Sequence, residues 1–474
     1  MIDLSTLTVS DAIKHLKNKD FKARELAEAY LERIKELNGE INAYLEVYDD
    51  VLTQADMADK NIQSGQAGSL SGIPMSIKDN ILIEGKSTTS ASKILKGFVA
   101  PYDATVITKL KKQNVVFLGR TNMDEFAMGG STENSAFGVT KNPKDLTRVS
   151  GGSSGGSVAT VAMDGALASL GSDTGGSVRE PASFCGVVGL KPTYGGVSRY
   201  GLMALGSSLD VIGPITKTVT DSEIIFKVIK GQDKFDSTTY GQDIYPKRKV
   251  SDNIVVGVPY HILEKGGISE WARKNFDKSI QKLKDLGYKI KDIKLPNIEY
   301  SLAVYYIIMP AESSSNLARF DGVKYGLYMS GDNLLSDYLK TRREGFGPEV
   351  RRRIIIGTYV LSSGYYEAYY NKALILRQKI SSDFDRAFSE VSIIVTPTTP
   401  GPAFKIGQKA NDPLALYLED VFTVPANIVG IPAISIPSGN AEEEGVSLPL
   451  GIQFMAPHNC EDLLFEVGKK FLEN

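Results

Sequence analysis

The stretch RVSGGSSGGSVATVAMDGALASLGSDTGGSVREPASFCGVVGLKP, residues 148–192, decides how the rest of the chain is interpreted. It contains two glycine–serine clusters, 151–157 and 173–177. Between them, residues 158–170 are small, largely apolar and compatible with a buried helix. Glycine lets backbone N–H groups approach a ligand closely. A serine at such a turn, beside several N–H groups, is a candidate nucleophile within its own oxyanion hole.

Other motifs share parts of this pattern. A flexible linker is rich in glycine and serine, but the apolar segment that follows is typical of packed structure. A phosphate-binding P-loop ends in Gly-Lys-Ser/Thr, and no lysine lies between Lys144 and Lys191. The G-x-S-x-G elbow of α/β-hydrolases fits Ser153, but that fold also needs a downstream catalytic histidine.

The few histidines and cysteines limit which catalytic bases and metal ligands the chain can provide. The three histidines, His15, His261 and His458, all lie outside the glycine–serine segments. A Ser-His-Asp triad therefore requires one of them to fold back onto a serine. Cys185 and Cys460 stand apart from each other, so no metal site built on clustered His and Cys is predicted.

A lysine is the remaining common base for a serine nucleophile. Lys78 lies in SGIPMSIKDNI (71–81), at the end of a strand-like apolar segment. A lysine base must be neutral, and lowering its pKa from about 10.4 to about 7.5 corresponds to about 4 kcal/mol. Burial can supply that free energy. We therefore predict Lys78 as the base.

Three motifs together resemble the amidase signature family: GIPMSIKDN (72–80), GGSSGGS (151–157) and GSDTGGSVREPASFCGVVGLKPTYG (171–195). Within that family the chain is most similar to the glutaminase subunits of tRNA-dependent amidotransferases. The stretches that carry this second resemblance are LAEAYLERIKELNGEINAYLEV (26–47), GRTNMDEFAMGGSTENSAFG (119–138), YYIIMPAESSSNLARFDGVKYG (305–326), IIIGTYVLSSGYYEAYY (354–370) and EDVFTVPANIVGIPAISIP (419–437).

The resemblance implies an α/β fold in which a mixed β-sheet core is flanked by helices on both faces. It implies a single domain over residues 1–474, with an N-terminal helical segment (1–65), the catalytic motifs (66–215) and the remaining sheet and covering helices (216–474). The alternation of helical and strand-like segments agrees with this α/β pattern. Residues 251–260, 271–287 and 288–295 are predicted as a strand, a helix and a strand, and residues 301–390 as largely helical.

The family also implies roles for individual residues. Ser177 would be the nucleophile, Lys78 the base, and Ser153 a relay held through an unusual cis peptide bond. The oxyanion hole would consist of the N–H groups of Thr174, Gly175, Gly176 and Ser177. Consecutive N–H groups of this kind can point toward one oxygen.

For a glutamine substrate, Arg353 and Asp420 match the residues that hold the α-carboxylate and the α-ammonium group. Arginine can grip a carboxylate with two hydrogen bonds. Without the resemblance, Arg353 would be interpreted as one of three solvated arginines, residues 351–353.

The expected activity is hydrolysis of the glutamine side-chain amide through an acyl-Ser177 intermediate. The ammonia would pass to partner subunits B and C of a heterotrimer, which would use ATP and Mg²⁺ to amidate a misacylated, charged tRNA. No cofactor or metal is expected in this chain itself. Two alternatives stay open: a stand-alone amidase acting on another carboxamide, and a non-catalytic scaffold subunit.

Four positions depart from the usual family pattern. Ser150 stands where proline is usual, Gly196 where arginine is frequent, and Glu180 and Val211 where glutamine is frequent. None is one of the three catalytic groups. Glu180 and Gly196 lie close enough to the motifs to bear on substrate preference.

The composition of the chain bears on its binding partners and its cellular location. The formal net charge is −2 and the isoelectric point is about 6.1, which argues against a broad nucleic-acid-binding face and a DNA partner. Two cysteines fit a reducing cytosol. The start lacks a basic and apolar signal segment, and no stretch of 18 apolar residues is present. We therefore expect a cytoplasmic protein without a membrane span.

Overall fold

The computed structural model describes residues 2–240, 254–263, 267–409 and 412–473. Within them, eleven strands form one sheet: β1 (Tyr44–Val47), β2 (Pro74–Lys78), β3 (Val116–Thr121), β6 (Ala168–Asp173), β7 (Val188–Lys191), β8 (Val211–Thr216), β9 (Val255–Val258), β10 (Lys289–Asp292), β11 (Ile393–Pro397), β12 (Ala433–Glu443) and β13 (Val446–Met455). Two further strands, β4 (Lys141–Asn142) and β5 (Asp145–Val149), pair separately.

The large sheet is mixed. Its strand order is β1-β3-β2-β6-β8-β7-β12-β13-β11-β9-β10. Strand β2 runs parallel to both β3 and β6, whereas β8 is antiparallel to β6 and β7. The β12–β13 hairpin is antiparallel, and β9 is parallel to β10 and β11. The catalytic motif strands β2 and β6 are thus direct neighbours.

Helices pack on both faces of this sheet. They are α1 (Val9–Asn18), α2 (Ala23–Ile41), α3 (Val51–Gln63), α4 (Thr105–Lys111), α5 (Gly155–Ala162), α6 (Arg179–Cys185), α7 (Val219–Ile229), α8 (Tyr260–Leu263), α9 (Glu270–Asp285), α10 (Ser301–Asn316), α11 (Leu334–Gly345), α12 (Pro348–Val360), α13 (Lys372–Phe388), α14 (Pro413–Tyr417), α15 (Val424–Val429) and α16 (Glu461–Glu473). Successive residues of β11 point into two different hydrophobic clusters, with Ile393 and Val395 in one and Ile394 in the other. The predicted α/β architecture with a two-sided mixed sheet is confirmed.

The small-residue segment 158–170 differs from its prediction. Helix α5 ends at Ala162, and β6 begins at Ala168. The helix stops because Asp164 adopts a left-handed conformation with φ 58°, and the Gly165 N–H then donates to the Thr160 carbonyl at 2.8 Å. The start of this segment is therefore helical, as its sequence allows. Its end belongs to β6, a fully buried strand that leads directly into the second serine cluster.

The strand–helix–strand unit predicted after residue 250 is present as β9, α9 and β10, with the two strands parallel. Residues 251–253 of the predicted first strand lie outside the described residues. A search of the described helices for one long and apolar enough to cross a bilayer finds none.

Candidate active site

Lys78 is the last residue of β2, in the interior of the sheet, and its side chain is 0% exposed. Its Nζ lies 2.8 Å from Oγ of Ser153 and 2.8 Å from Oγ of Ser154. The Ser172 hydroxyl and carbonyl oxygens lie at 2.9 and 3.2 Å. The amine is therefore enclosed by hydroxyl groups and one carbonyl oxygen, without a carboxylate in direct contact among the described residues.

This environment favours the neutral amine. Burial lowers the pKa of Lys78 to about 7, because a charged ammonium group loses its hydration. The negative charges of Asp124, Asp173 and Asp210 oppose that shift. A substantial fraction of Lys78 is thus neutral near pH 7.

Ser153 lies in the turn before α5, and the Gly152–Ser153 peptide bond is cis. A Cβ atom on Gly152 would lie 2.1 Å from Oδ2 of Asp124, so only glycine fits at that position. The Asp124 N–H donates to the Ser153 carbonyl at 3.2 Å. The Asp124 carboxylate in turn accepts N–H groups of its own loop, including that of Thr132 at 2.9 Å. The backbone on both sides of Ser153 is therefore held by buried polar contacts.

The second serine cluster is held by a buried ion pair. Arg179 donates from Nε and Nη2 to the two carboxylate oxygens of Asp173, both at 3.0 Å. Asp173 also accepts the N–H groups of Gly176 at 3.0 Å and Val178 at 3.2 Å. Despite burial, Arg179 keeps the pKa of Asp173 low, at about 2. This pair shapes the turn that carries Ser177.

Three N–H groups of that turn are candidate oxyanion donors. The Gly176 N–H is already engaged by Asp173. The N–H groups of Thr174, Gly175 and Ser177 have no acceptor among the residues that the structure describes. Gly176 itself has φ 144°, a conformation that requires glycine. The turn thus has free N–H donors both before and after Gly176, whose own N–H is hydrogen-bonded to Asp173.

Ser153 and Ser177 lie on adjacent turns. The Ser154 N–H donates to the Ser177 carbonyl at 3.1 Å, which joins the two clusters. Within the described part of the chain, no hydrogen bond links the Ser153 and Ser177 hydroxyl groups. Ser177 is 7% exposed, whereas Ser153 is 0% exposed. Of the two serines, Ser177 is therefore the one that a substrate can reach.

Arg353 and Asp420 meet at a wall of aromatic side chains beside this turn. Arg353 is buried on α12, donates to Glu349 Oε1 at 2.6 Å and stacks against the rings of Tyr306 and Tyr417. Tyr306 donates its hydroxyl to Asp420 Oδ2 at 3.4 Å. The interpretation of Arg353 as a solvated surface arginine is thus wrong.

Asp420 faces the turn that carries Ser177. A Cβ atom on Gly176 would lie 3.2 Å from Oδ1 of Asp420, so the carboxyl group is next to the turn. Burial raises the pKa of Asp420 to about 7, and the nearby Arg353 opposes that shift. The site therefore combines a cation, a titratable carboxyl group and free N–H donors on neighbouring elements.

Comparison with known proteins shows which family the chain belongs to. A family model described as Amidase matches residues 25–465. The chain belongs to the amidase signature family. The A-subunit of the glutamyl-tRNA(Gln) amidotransferase of Thermoanaerobacter pseudethanolicus is 50% identical to this amidase over 478 residues, covering 99% of the chain and 96% of the relative. The protein of the same name from Ruminiclostridium cellulolyticum is 51% identical over 477 residues, covering 99% and 97%.

Solved structures agree. The glutamyl-tRNA(Gln) amidotransferase A-subunit from Thermotoga maritima superposes on this amidase with a TM-score of 0.78 and 43% identity, covering 99% of the chain and 94% of that structure. A peptide amidase from Stenotrophomonas maltophilia superposes with a TM-score of 0.82 and 26% identity, covering 99% and 97%. These similarities confirm that the chain has the fold of an amidase-type enzyme.

Several residues of the site are not predicted from the sequence alone. Ser154 and Ser172 contact Lys78, and the Asp173–Arg179 pair holds the nucleophile turn. Only the last of these has a sequence signal, since Asp173 is the first residue of DTGGS and Arg179 follows the motif by two residues. Tyr306 also borders the site, through its hydroxyl contact with Asp420.

The three histidines have partners elsewhere. His15 pairs with Asp20 at 2.7 Å, and the rings of His261 and His458 contact backbone carbonyl groups at 3.3 and 3.1 Å. Across the described ranges, no three His, Cys, Asp or Glu side chains form a group that could hold a metal ion.

Proposed function

We propose that this amidase hydrolyses the side-chain amide of glutamine to glutamate and ammonia, with Ser177 as the nucleophile. The observation that carries the proposal is the contact of Lys78, an amine with a pKa of about 7, with the Ser153 hydroxyl at 2.8 Å. Ser153 would pass a proton between Lys78 and Ser177. The bond from Ser153 to Ser177 would form when the Ser177 side chain turns toward its neighbour, since catalytic contacts often tighten only with substrate bound.

The proposed chemistry has two halves. Ser177 Oγ attacks the amide carbon while its proton moves through Ser153 to Lys78, and the oxyanion accepts the free N–H groups of the turn. The proton then returns through Ser153 to the leaving nitrogen, the C–N bond breaks and ammonia departs. Water attacks the acyl-Ser177 ester by the same relay and releases glutamate and the free serine.

The charges of the pocket suit the two ends of a glutamine backbone. Arg353 would bind the α-carboxylate through the guanidinium nitrogen that Glu349 and Met309 do not use. Asp420, as a carboxylate, would bind the α-ammonium group. The distance from Asp420 to the turn that carries Ser177 is short, which favours a substrate with its amide only a few bonds from its charged end.

We infer the wider role from the names of the relatives, which are subunits of a glutamyl-tRNA(Gln) amidotransferase. The chain would work in the cytoplasm with partner subunits B and C as a heterotrimer. The partners would bind ATP, Mg²⁺ and the charged tRNA and would consume the ammonia. No metal or nucleotide takes part in the steps assigned to this chain.

The test is Ser177→Ala in the assembled complex. Removing the nucleophile should lower glutamine-dependent tRNA amidation by about 10³-fold or more, because members of a catalytic set act as a unit. Ammonium salts should restore amidation, because only the source of ammonia is lost. Unchanged glutamine turnover would reject the assignment.

Two further measurements separate the alternatives. A stand-alone amidase would turn over other amides without any gain from partner subunits. A non-catalytic scaffold would show no covalent labelling of Ser177 by a serine-directed sulfonyl fluoride or phosphonate.

A further inference from the structure

Glu180 is a fully buried carboxyl group that the proposed mechanism does not use. It lies in the first turn of α6, and its Oε2 accepts the Gly152 N–H at 2.9 Å, one residue before Ser153. Its Oε1 is buried without a hydrogen-bond partner among the described residues. A Cβ atom on Gly130 would lie 3.9 Å from this oxygen and 3.8 Å from Cδ1 of Leu416. One oxygen thus holds the serine turn, and the other is buried without a partner in the described structure.

The groups around Glu180 disfavour a negative charge there. Asp420 and Glu419 face it from the 3₁₀-helix Leu418–Asp420, and Asp124 faces it from the loop after β3. A further titratable neighbour is Cys185 on its own helix. Among the described residues Glu180 has no ion-pair partner, whereas Glu419 pairs with Lys409. Burial, followed by the charge of Asp420, raises the pKa of Glu180 well above its usual range.

We propose that Glu180 is a positioning residue that works as a neutral acid: it holds the Gly152 N–H, and with it Ser153, without adding a charge to the site. The proposal rests on the proposed relay through Ser153. A neutral carboxyl group has the shape and the acceptor of a glutamine side chain, the residue frequent at this position in the family.

The need for neutrality follows from the neighbouring groups. An ionised Glu180 would place a negative charge on the turn of Ser153, whose hydroxyl contacts Lys78, and would favour the protonated, inactive ammonium group. It would also place a second carboxylate beside Asp420. Ionisation should therefore slow the reaction at alkaline pH, on the opposite side of the profile from the protonation of Lys78.

The experiment compares Glu180→Gln with Glu180→Leu. The readout is the rate of Ser177 labelling by a small sulfonyl fluoride as a function of pH. We expect Glu180→Gln to label close to the wild-type rate near neutrality and to lack the alkaline decline. Glu180→Leu leaves the Gly152 N–H without its acceptor and should label about tenfold more slowly. Equal losses in both variants, or a Glu180→Gln profile identical to wild type, would overturn the proposal.

A second measurement reports protonation without any activity. Infrared difference spectra of wild type against Glu180→Gln, at mildly alkaline pH, should show the C=O stretch of one protonated carboxyl group. The carboxyl groups of Asp420, Asp124 and Asp210, with pKa values of about 7, 6 and 6, are then largely ionised. Absence of the band would contradict a neutral Glu180. Loss of glutamine turnover with normal labelling would instead count against the proposed substrate.

Discussion

The side of the candidate site that carries Lys78 and Ser177, here called the nucleophile side, is built differently from the recognition side, which carries Arg353 and Asp420. The nucleophile side is made of β2, β6 and the turns at 151–154 and 173–177, and its polar groups are hydroxyls and backbone N–H groups. The recognition side is made of α10, α12 and the 3₁₀-helix Leu418–Asp420, and its polar groups are long or charged side chains. One side is fixed by main-chain geometry and the other by packing between helices.

This difference separates chemistry from recognition. Lys78 has no carboxylate in contact within the described structure, and burial lowers its pKa to about 7, which favours the neutral amine. Asp420 lies near Arg353, yet burial raises its pKa to about 7 as well. The same physical cause thus gives a largely neutral amine on one side and a carboxyl group that titrates near neutrality on the other. Substitutions on the two sides should therefore change different kinetic quantities.

The largest expected effect is that of Lys78→Met. Removing the base should lower the rate of Ser177 labelling and kcat by about 10²–10⁴-fold, the range of general acid–base catalysis. Labelling by a small sulfonyl fluoride measures this without a need for glutamine or partner subunits. The effect belongs to the nucleophile side alone.

Lys191→Met is the matched control. Lys191 is equally buried, and burial lowers its pKa to about 7, but its Nζ donates to the Pro192 carbonyl at 2.9 Å and contacts neither catalytic serine. We expect this variant to lower Tm and to keep most of the labelling rate. If the two methionine variants labelled equally slowly, burial of an amine and not its contact with Ser153 would explain the loss.

The next effect tests the recognition side. Arg353→Lys keeps the charge but loses the planar group that lies against the stacked rings of Tyr306 and Tyr417. We expect KM for glutamine to rise about 10–100-fold, the cost of hydrogen bonds to a charged group. Labelling of Ser177 by a reagent without α-amino and α-carboxylate groups should stay close to wild type.

Arg352→Lys serves as its control, because Arg352 is half-exposed and pairs with Glu349 at the edge of the same wall. Its KM should change little. Parallel losses of labelling and glutamine affinity in Arg353→Lys would show that the two sides of the pocket are not independent.

The nucleophile side is also the part of the site that sequence predicts best. Lys78, Ser153 and the turn of Ser177 each lie in a short motif whose local geometry depends on neighbouring residues. The contacts that complete this side are harder to predict: nothing local shows that Ser172, at the end of β6, would reach Lys78. That contact follows from the parallel pairing of β2 with β6.

The recognition side depends on long-range packing. Arg353 belongs to an arginine cluster in which only the third member is buried, because only that residue points from α12 toward Tyr306. Tyr417 stacks on Tyr306 across more than a hundred residues of sequence. The fold class was predictable because helix and strand patterns are local, but the end of α5 and the start of β6 depend on the left-handed Asp164.

The smallest expected effect is the pH dependence of labelling and of KM for glutamine. It tests both sides of the site, because Lys78 and Asp420 each have a pKa near 7. Lys78 has a lowered pKa of about 7, so its neutral form predominates above pH 7. Below that pH, the labelling rate should fall about tenfold per pH unit, because only the neutral amine accepts a proton. Asp420 has a raised pKa of about 7 and is likewise the active carboxylate above pH 7.

Asp420→Asn separates the two titrations. In this variant the acid decline of labelling should remain, because Lys78 is intact, whereas KM for glutamine should be high and should lose its rise below pH 7. Labelling that is independent of pH on the acid side would contradict a neutral lysine base. A KM that still rises on acidification in Asp420→Asn would assign that titration to another group. Each result points to one side of the site. Labelling by the small reagent depends only on the proposed proton relay, whereas the reaction with glutamine depends on both the relay and the residues that would bind the substrate.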